Sequence, residues 1–222
     1  MNRITSAALV LANIVVAFVA VTQQWGYYSV ILVYWWEAVI IGFYNLGRMF
    51  VVCMVGDPLG KRVGIEGAGA RLVLAIVLGG FFIAKFGGFA IGLGLMVMGA
   101  PAMLAEGENP DDLAVIADGL TAVGGSVMTA AAMLFISHGI SFFVNFLGRR
   151  EFKRSNVLLL LFRPYARMVL MVVVLLLGLA AAAYFPALGR TTAFAVAIVL
   201  FKLLVDLASH KFEHRNRGFS GT

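Results

Sequence analysis

The chain has 222 residues, of which 62% are hydrophobic and only 13% charged, and its mean hydropathy is +0.97. A soluble domain carries about 25% charged residues and must present a polar surface, so this composition excludes a soluble globular fold and leaves lipid as the solvent. The net charge of +6 and sequence pI of about 9.8 would raise nucleic-acid binding in a soluble protein, but no aromatic-interleaved basic surface accompanies them. No nucleic-acid partner is expected, and the basic residues are read as loop charges that orient a membrane protein.

Six apolar runs of spanning length follow one another along a single integral-membrane domain covering residues 1–222. The first, 5–23, follows Arg3; Ala17 and Ala20 are not spaced as the small pair before a signal cleavage site, so a retained helix is expected. The second, 28–54, is preceded by Trp25, Tyr27 and Tyr28, rings that favour the water–lipid boundary. It contains Cys53, the one cysteine, which precludes an internal disulfide and is expected to be a buried, inert thiol.

The third run, 72–104, would be about 50 Å long as one helix, beyond a hydrocarbon core of about 30 Å. It is either two short helices turning near Gly87 and Gly88 or one helix with a tilted or broken extension. The fourth, fifth and sixth runs are 120–147, 157–185 and 191–210.

Loop charge decides the count. Lys61, Arg62 and Arg71 precede the third run, Arg149, Arg150, Lys153 and Arg154 precede the fifth, and Lys211, Arg215 and Arg217 follow the sixth. Between the third and fourth runs lie Glu106, Glu108, Asp111, Asp112 and Asp118. Six crossings put every basic stretch on one side and the acidic loop on the other, as the positive-inside rule demands; seven would separate the basic loops. The expected fold is an all-α polytopic membrane bundle with both termini in the cytoplasm and anionic lipid at the basic face. Ala38 with Gly42, and Gly88 with Gly92, are small-residue pairs that let helices approach closely.

Two enzyme-like motifs fail. The stretch Gly56-Asp-Pro-Leu-Gly60-Lys61-Arg62 is one residue short of a phosphate-binding loop, and Arg62 stands where a hydroxyl should reach magnesium. Ser137 and His138 are neighbours on a helix, so their side chains point about 100° apart and form no nucleophile–base pair.

Polar side chains inside lipid need a partner or a use. They are Glu37 and Asn45 in the second run, Lys85 in the third, His138 and Asn145 in the fourth, Arg163 and Arg167 in the fifth, and Lys202, Asp206 and His210 in the sixth. Counting depth along the helices puts Glu37 and Lys85 near the midplane, where they could pair, and the rest in the cytoplasmic half. The last run has the sharpest spacing, Lys202-x3-Asp206-x3-His210-x3-His214. Steps of four advance only about 40° around a helix, so Asp206, His210 and His214 share a face that could hold a divalent metal such as zinc, with His138 as a ligand from another helix. Equally, the two terminal histidines could be wet residues at a helix C-terminus, Lys202 and Asp206 a self-neutralising pair, and Arg163 and Arg167 snorkelling cations.

Several of these residues stand in a pattern. Tyr34-Trp35-Trp36-Glu37 with Ile40-Ile41-Gly42 and Asn45, Phe86-Gly87-x-Phe89, His138-Gly139 with Phe142 and Asn145, Pro164-Tyr165-x-Arg167, and Lys202-x3-Asp206-x3-His210-x2-Glu213-His214 together resemble a bacterial multi-pass membrane family, domain of unknown function 6498. The resemblance covers most of the chain and implies a bacterial inner-membrane location. It also implies a histidine where this chain has Lys85 and another near Met171, a departure that weakens a metal site here. The family supplies no activity.

Three functions remain open on this reading. One is a membrane-embedded site for a lipid or amphipathic substrate, using Glu37, His138, Asp206 and His210, with a metal-bound water as the nucleophile if it is hydrolytic. Another is a small transporter or proton-conducting unit gated by Glu37 and Lys85, although no inverted repeat is visible. The third is a non-catalytic scaffold on anionic lipid.

Overall fold

The computed structural model describes residues 18, 22, 27–56, 67–104, 125–184 and 198. Among them every regular element is helical. In chain order these are α1 (Tyr27–Val55), α2 (Ala68–Phe82), α3 (Gly88–Leu104), α4 (Gly125–Ser141) and α5 (Val157–Tyr184). A π-helical segment, Ile83–Gly87, joins α2 to α3, and a second, Phe142–Gly148, continues α4. A 3-10 turn, Glu151–Arg154, leads into α5.

Among the described residues three stretches are long and apolar enough to cross a membrane: Ser29–Val55 with 27 residues, Ala68–Gly99 with 32 and Gly125–Gly148 with 24. Large apolar side chains such as Val73, Ile76, Phe81, Leu95, Ile136 and Phe162 point outward. In water that surface would drive aggregation; in hydrocarbon it is the ordinary exterior of a helical bundle. The protein is membrane-embedded and all-helical in its described part.

The long third run does not turn at Gly87 and Gly88. Phe82 and Gly88, which flank the π segment, both have right-handed helical dihedrals, so α2, the π segment and α3 continue as one helix. Its buried stripe passes through Ala75, Gly79, Phe82, Phe86, Ala90, Leu93 and Val97 without a break. The wider π turn is absorbed in the four-residue steps from Phe82 to Phe86 to Ala90.

Helix α1 is the hub: it packs against α2, α3, α4 and α5. Its partnership with α2 and α3 is antiparallel along its whole length. Arg71 reaches Met54 and Gly56, Leu46 lies over Gly79, Phe86 over Gly42, and Trp35 over Gly94. Helix α4 instead runs parallel to α1, with Tyr44 at Gly139, Gly47 at Phe142 and Arg48 at Phe146.

Both described ends of basic loops meet at the α1 C-terminus. That terminus has no basic residue of its own in its last turn. Arg71 Nη1 supplies one, donating to the carbonyl oxygens of Met54 and Gly56, each at 3.1 Å. These are carbonyls that a helix end leaves without intrahelical donors, and a cation there also suits the helix dipole. A Cβ on Gly56 would lie 3.0 Å from the Phe152 carbonyl oxygen, so the 3-10 turn closes against the same end. Arg150 takes a left-handed conformation, φ 56°, to reverse the chain after the second π segment. Asn156 then starts α5: its Oδ1 accepts from the Leu158 N–H at 2.8 Å, an N-cap bond.

Candidate functional site

Three side chains of α1 each donate a hydrogen bond to a main-chain carbonyl of a different helix. Trp35 Nε1 reaches Ala90 at 2.8 Å, Tyr44 Oη reaches Phe135 at 3.0 Å, and Asn45 Nδ2 reaches Leu160 at 2.8 Å. Helix carbonyls are normally screened by the side chain one turn on, and at two of these joints that residue is glycine. A Cβ on Gly94 would come within 2.7 Å of the Trp35 ring, and one on Gly139 within 2.6 Å of the Tyr44 hydroxyl. At the third joint the residue one turn on is Pro164, inside α5. Proline has no N–H, so the Leu160 carbonyl lacks its usual donor and Asn45 replaces it. The other amide hydrogen of Asn45 faces Met49 Sδ at 3.7 Å.

Aromatic rings lock the same level. Phe86 stacks on Phe82 with centroids 4.8 Å apart, meets Tyr165 edge-on at 6.0 Å, and covers Gly42, where a Cβ would fall on its ring. Phe142 lies between Tyr44 at 5.7 Å and Phe146 at 5.6 Å.

From the level of Glu37 to the basic end these joints enclose polar groups. Glu37, Asn45 and Asn145 are the buried polar or charged residues among those described. Glu37, at 7% exposure, is partnered. One turn beyond Asn45, the half-buried Arg48 holds its guanidinium 5.6 Å from the centroid of Phe146, a cation–π arrangement. Asn145 precedes that phenylalanine in the second π segment, and is 9% exposed. Its Nδ2 donates to Ser141 Oγ at 3.4 Å, but its Oδ1, fully buried, has no hydrogen-bond partner among the described residues. Leaving an amide oxygen buried in that state costs about 1–3 kcal/mol. A π segment inside an α-helix is also an uncommon geometry that recurs at functional sites.

Lys85 parts from Glu37. It lies on the exposed side of the first π segment, while Glu37 is buried. Similar depth along the helix axes left their directions around those axes open, and the buried pair expected from depth does not form. His138 is half-buried on α4 and partnered; Arg163 is exposed on α5 and likewise partnered. Arg167 lies on α5. Lys202, Asp206, His210 and His214 lie outside the described residues, and so does any approach of His138 to them. Among the described residues no group of three His, Cys, Asp or Glu could hold a metal ion.

Arg48 was missed by the sequence reading although the same rule that selected Glu37 applies to it. It stands within the apolar run 28–54, seven residues before the end of α1. The family signature fits this architecture: the quoted Trp35, Gly42, Asn45, Phe86, Gly139, Phe142, Pro164 and Tyr165 are the residues that make the joints described above. The matching family model, a family of unknown function (DUF6498), spans residues 1–220. The chain belongs to this family. No curated protein and no solved structure matches it. Membership supplies no activity, so the chemistry of the polar cluster is argued from its own atoms.

Proposed function

We propose that the protein crosses the bacterial inner membrane six times, with both termini and the basic end of the bundle in the cytoplasm. On this reading the polar cluster in that half of the bundle receives a lipid or another amphipathic substrate. The observation that carries it is the burial of Asn45 and Asn145 in that half, with Glu37 buried nearer the midplane, inside a bundle whose outer surface is apolar. Such groups are costly in hydrocarbon, and they are kept where they bind or relay something. The exposed Arg149, Arg150 and Lys153 at the same end favour anionic lipid in the facing leaflet. His138 remains a candidate contributor, together with Asp206, His210 and His214 should a zinc ion be bound. A channel gated by Glu37 and Lys85 loses support because Lys85 is exposed.

The test is photocrosslinking in reconstituted membranes with a phospholipid carrying a diazirine near its headgroup. Crosslinks concentrated in residues 44–48 and 141–148 are expected. An even spread over the outward-facing residues of all helices would reduce the protein to a scaffold in lipid. Elemental analysis of the same preparation reads the metal content directly.

A further inference from the structure

We propose that the run 191–210, which lies outside the described residues apart from Ile198, docks on the outward flank of the α2–α3 helix, where its Asp206 forms an ion pair with Lys85. The proposal rests on the six-crossing reading above and gives the last crossing its place.

The observation that calls for an occupant is Lys85. Phe81, Lys85 and Phe89 stand at four-residue steps and are all exposed. Leu46 lies over Gly79 and Phe86 over Gly42, so Lys85 stands at the level of the middle of α1. Among the described residues no hydrogen bond or ion pair engages it. A lysine stem is shorter than half of a hydrocarbon core of about 30 Å, so an ammonium at that depth does not reach either headgroup layer. A carboxylate from another helix is the group that relieves it.

Charge names the helix. Of the 11 acidic residues in the chain, only Glu37 and Asp206 fall within the apolar runs. Glu37 is buried and partnered. A second copy related by a two-fold axis along the membrane normal would set Lys85 against its own counterpart, cation to cation. The run 191–210 carries the remaining acid. Its described residue, Ile198, is helical and buried in the core. Asp206, eight residues on, lies about 80° around from Ile198, so it shares the side that faces protein. Only residues 185–190 separate this run from 157–185, so it returns beside α5, and α5 packs against α3.

Opposite helix directions bring the charges together. Asp206 lies past the middle of its run by about five residues, roughly 8 Å toward the cytoplasm by the helical rise. Side chains lean toward the N-terminus of their own helix. Lys85 therefore leans toward the cytoplasm and Asp206 away from it, and the lysine stem closes the interval. Lys202 stands one turn before Asp206 and leans away from it. A lysine N-terminal to the acid is also the weaker order for a pair within one helix, which leaves Asp206 available to Lys85.

Two measurements on the full-length protein in liposomes test the docking. In a Cys53→Ser background, Phe81→Cys with Val205→Cys should be bridged within one chain by dibromobimane, read by mass spectrometry of the monomer band. Both charges are intact in this variant, so the result does not depend on the folding of charge mutants. In unfolding by SDS titration, Lys85→Met and Asp206→Asn should each raise the unfolding equilibrium constant about tenfold, and the double variant by no more than the larger single. Bridging between chains would assign the carboxylate to a second copy and overturn the proposal. Absence of any bridge, or additive effects of the two substitutions, would overturn it as well. Impermeant labelling of Lys61→Cys and Lys211→Cys separates the two levels of the argument. A missing bridge with both sites on the same side of the membrane rejects the ion pair and leaves the six crossings standing, whereas sites on opposite sides reject the crossings themselves.

Discussion

Asn45 on α1 donates to the Leu160 carbonyl of α5 at 2.8 Å, across 115 residues of chain, at the one place in that helix where Pro164 withholds the usual donor. A sequence defect in one helix is thus repaired by a side chain of another. Replacing Asn45 by Leu leaves the carbonyl buried without a donor and should destabilise the protein by about 1–3 kcal/mol. In a Pro164→Ala background, where the helix supplies its own N–H, the same replacement should cost less. Unfolding of the four proteins by SDS titration in mixed micelles checks the cycle. Equal costs in both backgrounds would show that the proline and the asparagine are unrelated.

The glycines divide by what their missing side chains would meet. At Gly94 and Gly139 a methyl group would strike Trp35 and Tyr44, and at Gly80 and Gly92 it would meet nothing within 4 Å. Gly94→Ala and Gly139→Ala should each destabilise by about 1–3 kcal/mol through overpacking. Gly80→Ala and Gly92→Ala should stabilise by up to about 1 kcal/mol, because alanine loses less backbone entropy in a helix. Thermal denaturation in detergent reads the opposite signs.

Arg71 ties the first turn of α2 to the end of α1 through Met54 and Gly56. Arg71→Ala should open that end and increase hydrogen exchange in residues 52–56, with little effect near Trp35 at the far end of the hairpin. Arg71→Lys should recover part of the protection, since one ammonium can still meet the carbonyls. Exchange mass spectrometry that finds 52–56 unaffected would remove the clamp.

Orientation is measurable because the single native thiol, Cys53, is buried and can be replaced by serine. In that background Glu108→Cys should react with an impermeant maleimide from the periplasmic side, and Arg150→Cys should not. Labelling of Arg150→Cys from outside would invert the proposed topology.

Two apolar runs were legible because burial in lipid constrains composition directly: α1 covers the run 28–54, and α5 covers 157–184 of the run 157–185. Asn145 and Glu37 could be singled out by the same argument, since a polar group in an apolar run is visible without knowing the fold. The π segments were not legible. Widening one turn changes hydrogen bonding by a single residue and leaves no mark in the composition of Ile83–Gly87 or Phe142–Gly148. Direction around a helix was equally hidden. Counting residues placed Lys85 at the depth of Glu37, but only packing decided that Phe86 turns inward and Lys85 outward. The carbonyl joints depend on pairs far apart in the chain, such as Trp35 with Ala90, and no local pattern announces them.

The hub position of α1 also sets a timetable for biogenesis. The helix carrying Glu37, Asn45 and Arg48 is synthesised before α4 and α5, and the Leu160 carbonyl follows Asn45 by 115 residues. At about 5–20 residues per second that interval is on the order of ten seconds. Throughout it, the nascent α1–α2–α3 hairpin exposes side chains that the finished bundle encloses, so it must be sheltered by the insertion machinery or held near the aqueous interface. A ribosome stalled after Leu104 would release a fragment that is apolar enough to enter the bilayer but conspicuous to membrane proteases once there.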